Sequence, residues 1–110
     1  MTVETTLSAL ADETRRGTVE ALGGGPLSAG QLATQLEVTP AALSGHLRIL
    51  RDAGLVSVAL DPDDTRVHVY SIEPGPFHEL SDWAQGASKF WTDQLGAFAR
   101  QVERRGRGKR

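Results

Sequence analysis

Thr39, Ala41, Ser44, Gly45, His46 and Arg48 fall within one ten-residue stretch of the 110-residue chain. They bring two hydroxyls, an imidazole and a guanidinium together with two positions that carry almost no side chain. Hydroxyl and guanidinium groups hydrogen-bond to phosphate oxygens or to base edges, and the methyl of Ala41 can touch a thymine. Gly45 and Ala41 let a bulky partner come close. Arg66 and His68 supply a second pair of groups that suit an anionic backbone. This is chemistry for holding a polyanion, not for breaking a bond. No Ser/His/Asp set with supporting glycines is present, nor a close carboxylate pair in a plausible pocket. Gly23-Gly24-Gly25-Pro26 lacks the Lys-Ser/Thr that a phosphate-binding loop requires. No catalytic residue is expected.

The elements around these residues can be read from local signals. Ser28 and Gln31 form a capping box, and Leu32, Ala33 and Leu36 follow at helical spacing. The capping role outweighs a phosphate contact for this pair. Glu37-Val38 breaks the pattern. Thr39 is then a good N-cap, with a backbone amide neighbourhood that also suits phosphate, and Pro40 has no N–H to lose at the first helical position. Leu43, Leu47 and Leu50 make one inward stripe, and Gly54 closes the helix. The stripe leaves Ala41, Ser44, Gly45 and Arg48 facing outward. Two helices joined by a tight turn are a helix-turn-helix, whose second helix suits a DNA major groove. His46 either contacts phosphate or packs on a neighbouring helix through a hydrogen bond; the sequence leaves both open.

Upstream, Leu7, Leu10 and Ala11 suggest a short helix from about residue 3. Asp12 caps a second helix that turns Val19 and Leu22 inward, and an Asp12–Arg16 surface ion pair is expected at i,i+4. Downstream, residues 55–60 and 66–72 read as two strands around the acidic turn Asp61-Pro62-Asp63-Asp64. Arg66 and His68 are expected on one strand face. A hairpin in this place is a wing.

Pro76 is expected to start a long terminal helix. Phe77, Leu80, Ala84, Ala87, Trp91, Leu95, Phe98 and Val102 step along it by three or four, with Trp83 and Phe90 widening the stripe. A domain of this size has too little interior to cover such a stripe, so dimerisation through Leu7, Leu10, Trp83, Ala87, Phe90, Trp91, Leu95 and Phe98 is expected. A pocket for a small apolar ligand along the aromatic residues is the lesser alternative. The fold expected is mainly α with a small β-hairpin wing. Residues 1–103 form one winged helix-turn-helix domain, and residues 104–110 a disordered basic tail.

The net charge of −2 conceals a division. Residues 1–99 carry six basic and thirteen acidic side chains, a net of −7, while residues 100–110 carry six basic and one acidic, a net of +5. Attraction to phosphate must therefore come from local patches. The absence of cysteine excludes disulfides and thiolate metal sites. His78 and Asp82 lie one turn apart, but no second histidine shares their helix, so no metal or other cofactor is expected. MTVETTLSAL lacks the basic start and apolar core of a secretion signal, and no apolar run could span a membrane. A cytoplasmic location is expected.

Leu10-Ala11-Asp12-Glu13-Thr14-Arg15-Arg16, Gly25-Pro26-Leu27-Ser28, Ser44-Gly45-His46-Leu47-Arg48-Ile49-Leu50 and Ala53-Gly54-Leu55-Val56 occur in this order and spacing. Together with the element order they resemble the ArsR-type winged-helix repressors of bacteria, over about residues 5–103. The resemblance implies a homodimer whose first and last helices pair across a two-fold axis. It also implies binding to double-stranded DNA at a two-fold symmetric operator, released by an unknown small-molecule or protein effector. Two departures stand out. Gly45 lies where members of the family often carry Arg or Lys, and the wing tip is acidic where a basic one would favour DNA. A winged helix with weakened DNA affinity, working through protein contacts, is the rival reading these departures suggest.

Overall fold

The structure, a computed structural model, describes residues 2–108. Its elements are α1 (Val3–Ala9), α2 (Glu13–Leu22), β1 (Leu27–Ser28), α3 (Ala29–Leu36), α4 (Pro40–Asp52), β2 (Val56–Leu60), β3 (His68–Ile72) and α5 (Pro74–Gly108). They divide into two compact units, residues 1–79 and residues 80–110. No helix among the described residues is long and apolar enough to cross a membrane.

Each of α1 to α4 begins on a side-chain cap. Thr2 Oγ1 accepts the Thr5 N–H at 3.1 Å, and Asp12 Oδ1 accepts the Arg15 N–H at 3.0 Å. The expected capping box closes both ways: Ser28 Oγ accepts from Gln31 N at 3.1 Å, and Gln31 Oε1 accepts from Ser28 N at 2.9 Å. Thr39 Oγ1 accepts from Ala42 N at 3.2 Å, with Pro40 opening α4. These caps satisfy amides that have no partner inside their own helix. At the end of α3, Glu37 takes a left-handed conformation with φ 57° and ψ 42°, which makes the sharp turn into α4. Gly54, at φ 74°, makes the corresponding exit from α4. Gly17 serves a different need: a Cβ there would stand 3.1 Å from Leu36 Cδ2, so its absence lets α2 and α3 approach.

The core is built from Leu22 of α2, Leu32 of α3, the Leu43/Leu47/Leu50 stripe of α4, and Leu55, Val56 and Tyr70. Leu32, Leu50 and Leu55 have no exposed surface at all. Phe77, in the first turn of α5, packs against this core and ties the start of the last helix to it.

Several expectations are corrected. Asp12 makes no pair with Arg16, whose guanidinium instead donates to the Leu10 carbonyl at 2.8 Å. The carboxylate is already engaged as a cap, and the end of α1 offers Arg16 an unpaired backbone acceptor. The sheet has three antiparallel strands in the order β1-β3-β2, not two. β1 pairs Leu27 with Tyr70 and Ser28 with Val69, while β2 pairs Val56 with Ile72 through to Leu60 with His68. Arg66 lies in the turn before β3 and shares no strand face with His68. α5 starts at Pro74, because Glu73 is drawn into the sheet by its N–H bond to the Leu55 carbonyl at 2.9 Å. The helix also runs through residues 104–108, where a disordered tail is expected; residues 109 and 110 lie outside the described residues.

The second unit is helical, and its large apolar side chains are open. Trp83, Phe90, Trp91, Leu95, Phe98 and Val102 are each more than half exposed. Phe90 and Trp91 meet edge to face with ring centroids 5.4 Å apart.

Candidate nucleic-acid interface

A helix with leucines at 43, 47 and 50 in its core must present the opposite side to solvent, and α4 does so. Ala41, Ser44, Gly45 and Arg48 are all exposed and lie at i, i+3, i+4 and i+7, one continuous surface strip. Thr39 is exposed at the head of the helix. Among the described residues the Ser44 hydroxyl and the Arg48 guanidinium have no hydrogen-bond or ion-pair partner within the protein. Both are free to bind an outside ligand. A Cβ on Gly45 would meet nothing within 4 Å, so the centre of the strip is open to solvent.

His46 stands apart from that strip. Its side chain is 26% exposed, and its Nδ1 lies 3.3 Å from Arg15 Nη1 and 3.6 Å from Asp12 Oδ1. Of the two roles open to it in sequence, it takes the internal one, joining α4 to the start of α2. Arg15 is the residue that sequence reasoning missed. Its Nε donates to the Ala9 carbonyl and its Nη2 to that of Ser8 at 3.5 Å, so one guanidinium links the end of α1, the start of α2 and the exposed helix. The signal was present in Asp12-Glu13-Thr14-Arg15, but a contact spanning 31 residues has no local signature. Asp12 is held below the usual carboxylate range. The Arg15 amide is the main cause; desolvation opposes it, and the neighbouring His46 ring and Arg15 guanidinium assist it.

In the wing, the Arg66 side chain is 89% exposed but not unpaired. Its Nε lies 3.0 Å from Asp64 Oδ1 and its Nη2 3.1 Å from Asp64 Oδ2. The pairing lowers the Asp64 carboxyl, chiefly through the guanidinium and then through the Arg66 amide, and it raises Arg66. His68 is exposed at the first position of β3. Thr39, Ala41, Ser44, Gly45 and Arg48 are thus brought together on α4, while Arg66 and His68 belong to the separate wing.

Of the residues expected at a dimer contact, Leu7 is exposed on α1, whereas Leu10 packs against the core of its own chain. Ala87 is half-buried on α5 among the exposed aromatic residues. No group of three or more potential metal ligands comes together among the described residues.

Comparison with known proteins agrees with this architecture. Residues 12–58, which span α2 to the first part of β2, match the family model for bacterial regulatory proteins of the arsR family. The HTH-type transcriptional regulator Rv2034 of Mycobacterium tuberculosis is 40% identical over 98 residues, covering 89% of this chain and 86% of that protein. The transcriptional repressor SdpR of Bacillus subtilis is 37% identical over 49 residues, 44% of this chain and 54% of that protein. Among solved structures, an ArsR-like transcriptional regulator from Rhodococcus sp. RHA1 superposes with a TM-score of 0.71 at 27% identity, covering 87% of this chain and 88% of that one. With its leucine-backed helix, its wing and relatives that match nearly end to end, the chain belongs to the ArsR family of winged helix-turn-helix, DNA-binding transcriptional regulators.

Proposed function

We propose that the protein is a repressor that binds a two-fold symmetric operator as a homodimer, needs no cofactor, and does not sense metal through cysteines. The observation that carries this reading is the α4 strip, exposed and without internal partners at Ser44 and Arg48. In the proposed complex Ser44 and Arg48 contact bases or phosphates, Ala41 and Gly45 give room for close approach, and Thr39 lies near a phosphate. His46 orients α4 from behind, and Arg66 and His68 approach the flanking backbone from the wing. The apolar residues of α5 support pairing of two copies, since six large exposed side chains on one helix exceed what a monomer ordinarily leaves open. Leu7 would join that contact, with Leu10 supporting it from within its own chain. Two copies of α4 would then meet successive major-groove segments about 34 Å apart. The reading includes a cytoplasmic location and no catalysis.

The direct test is footprinting of purified protein on the DNA upstream of its own gene. Two protected half-sites one helical turn apart are expected, and Arg48→Ala should weaken binding and reduce the salt slope by about 1. An Arg48→Ala variant with unchanged affinity and slope would remove α4 as the docking face. The Asp64–Arg66 pair supports a second reading, in which DNA affinity has weakened and protein contacts carry the function. Footprints that show no protection would favour it.

A further inference from the structure

The wing tip pairs its single guanidinium with a carboxylate two residues away. Asp64 makes three contacts to Arg66: Oδ1 accepts the backbone N–H at 3.1 Å and Nε at 3.0 Å, and Oδ2 accepts Nη2 at 3.1 Å. This two-pronged geometry is the one a guanidinium uses on phosphate. The loop is braced independently of that contact. Asp61 N–H donates to the Val67 carbonyl and Val67 N–H to the Asp64 carbonyl, each at 2.9 Å, while Asp63 N–H donates to Asp61 Oδ1 at 2.8 Å. Backbone bonds therefore help to fix Asp64, and the guanidinium folds back onto it. Asp61 and Asp63 make no hydrogen bond or ion pair with Arg66 among the described residues.

Resting on the DNA-binding reading above, we propose that Asp64 is an internal competitor for DNA phosphate: its carboxylate occupies the Arg66 fork and so limits how tightly the wing holds a duplex. A carboxylate two residues away is present at high effective concentration, so a phosphate must displace it rather than fill an empty fork. Displacement is feasible because a solvent-exposed ion pair is weak. The net of −7 over residues 1–99 makes each cation near the duplex count, and this one is held back.

A double-mutant cycle tests the idea, read by the affinity of the full chain for a mixed-sequence DNA duplex and for the upstream fragment across a salt series. Asp64→Asn removes the charge but keeps an oxygen for the Arg66 amide, so the loop retains its shape. It should tighten binding by about two- to fivefold. The salt slope should steepen by about 0.9 for each Arg66 that reaches a phosphate. Asp63→Asn makes the same charge change away from Arg66 and should give the smaller gain. Combining Asp64→Asn with Arg66→Ala should abolish the excess. Equal gains from Asp63→Asn and Asp64→Asn, or a gain that survives Arg66→Ala, would reduce the effect to net charge and overturn the proposal. If that happens while Arg48→Ala still weakens binding, the regulator reading stands and only this inference fails. If neither the wild type nor Asp64→Asn binds either DNA, both fail together.

Discussion

Gly45 shows how a single residue trades stability against contact. It lies at an exposed position inside α4, where glycine costs about 1 kcal/mol relative to alanine, and nothing within 4 Å opposes a side chain. Gly45→Ala should therefore raise unfolding stability by about that amount in a denaturant titration. Gly45→Arg should in addition steepen the salt dependence of DNA binding, which a loss of affinity would contradict. Asp12 makes the complementary case through its charge. Its folded pKa lies below the ordinary value of 3.8, so the stability it confers is complete above that value and is lost as pH falls through the depressed one. Asp12→Asn should be less stable than the wild type at neutral pH, and the two should converge in strong acid. Parallel curves down to the lowest pH would show that the carboxylate charge does nothing for the fold.

The elements owe their positions to rules of two ranges. Leu47 sits in the middle of the α4 stripe with 3% of its surface exposed, so Leu47→Ala should cost about 2–5 kcal/mol, read by thermal or denaturant unfolding. A much smaller loss would mean that the outward strip is not held by the core beneath it. This part of the fold was legible because caps and stripes are local: Asp12, Ser28 with Gln31, Thr39 and Gly54 act on neighbours within four residues. What the sequence hid was set by distant pairing. Leu27 and Ser28 become a strand only because β3 offers them Tyr70 and Val69. Arg66 looks like strand by its β-branched and aromatic neighbours, but its own N–H turns back to Asp64 Oδ1 and the Val67 N–H to the Asp64 carbonyl, which makes a turn there. The partners of His46 lie 31 and 34 positions earlier in the chain, beyond any periodicity. At the candidate interface the outward residues were therefore readable, and the support behind them was not.

For the whole molecule, the exposed apolar face of α5 sets the expected behaviour. Trp91 is 61% exposed within one chain, so Trp91→Glu should change the unfolding of residues 1–79 little while shifting sedimentation from the proposed dimer to monomer. A variant that stays dimeric at all concentrations would move the contact elsewhere. The small strand β1 acts over a different distance. Ser28 is at once the last residue of that strand and the cap of α3, so the sheet and the helix-turn-helix share one residue. Their orientation is anchored at Val69 and Tyr70, midway along β3 and outside the turn of residues 61–66. The exposed positions of the tip, Pro62, Asp63, Thr65 and Arg66, can then be recharged without disturbing that anchor. Substitutions confined to those positions should therefore change what the wing touches and leave the frame beneath it unaltered.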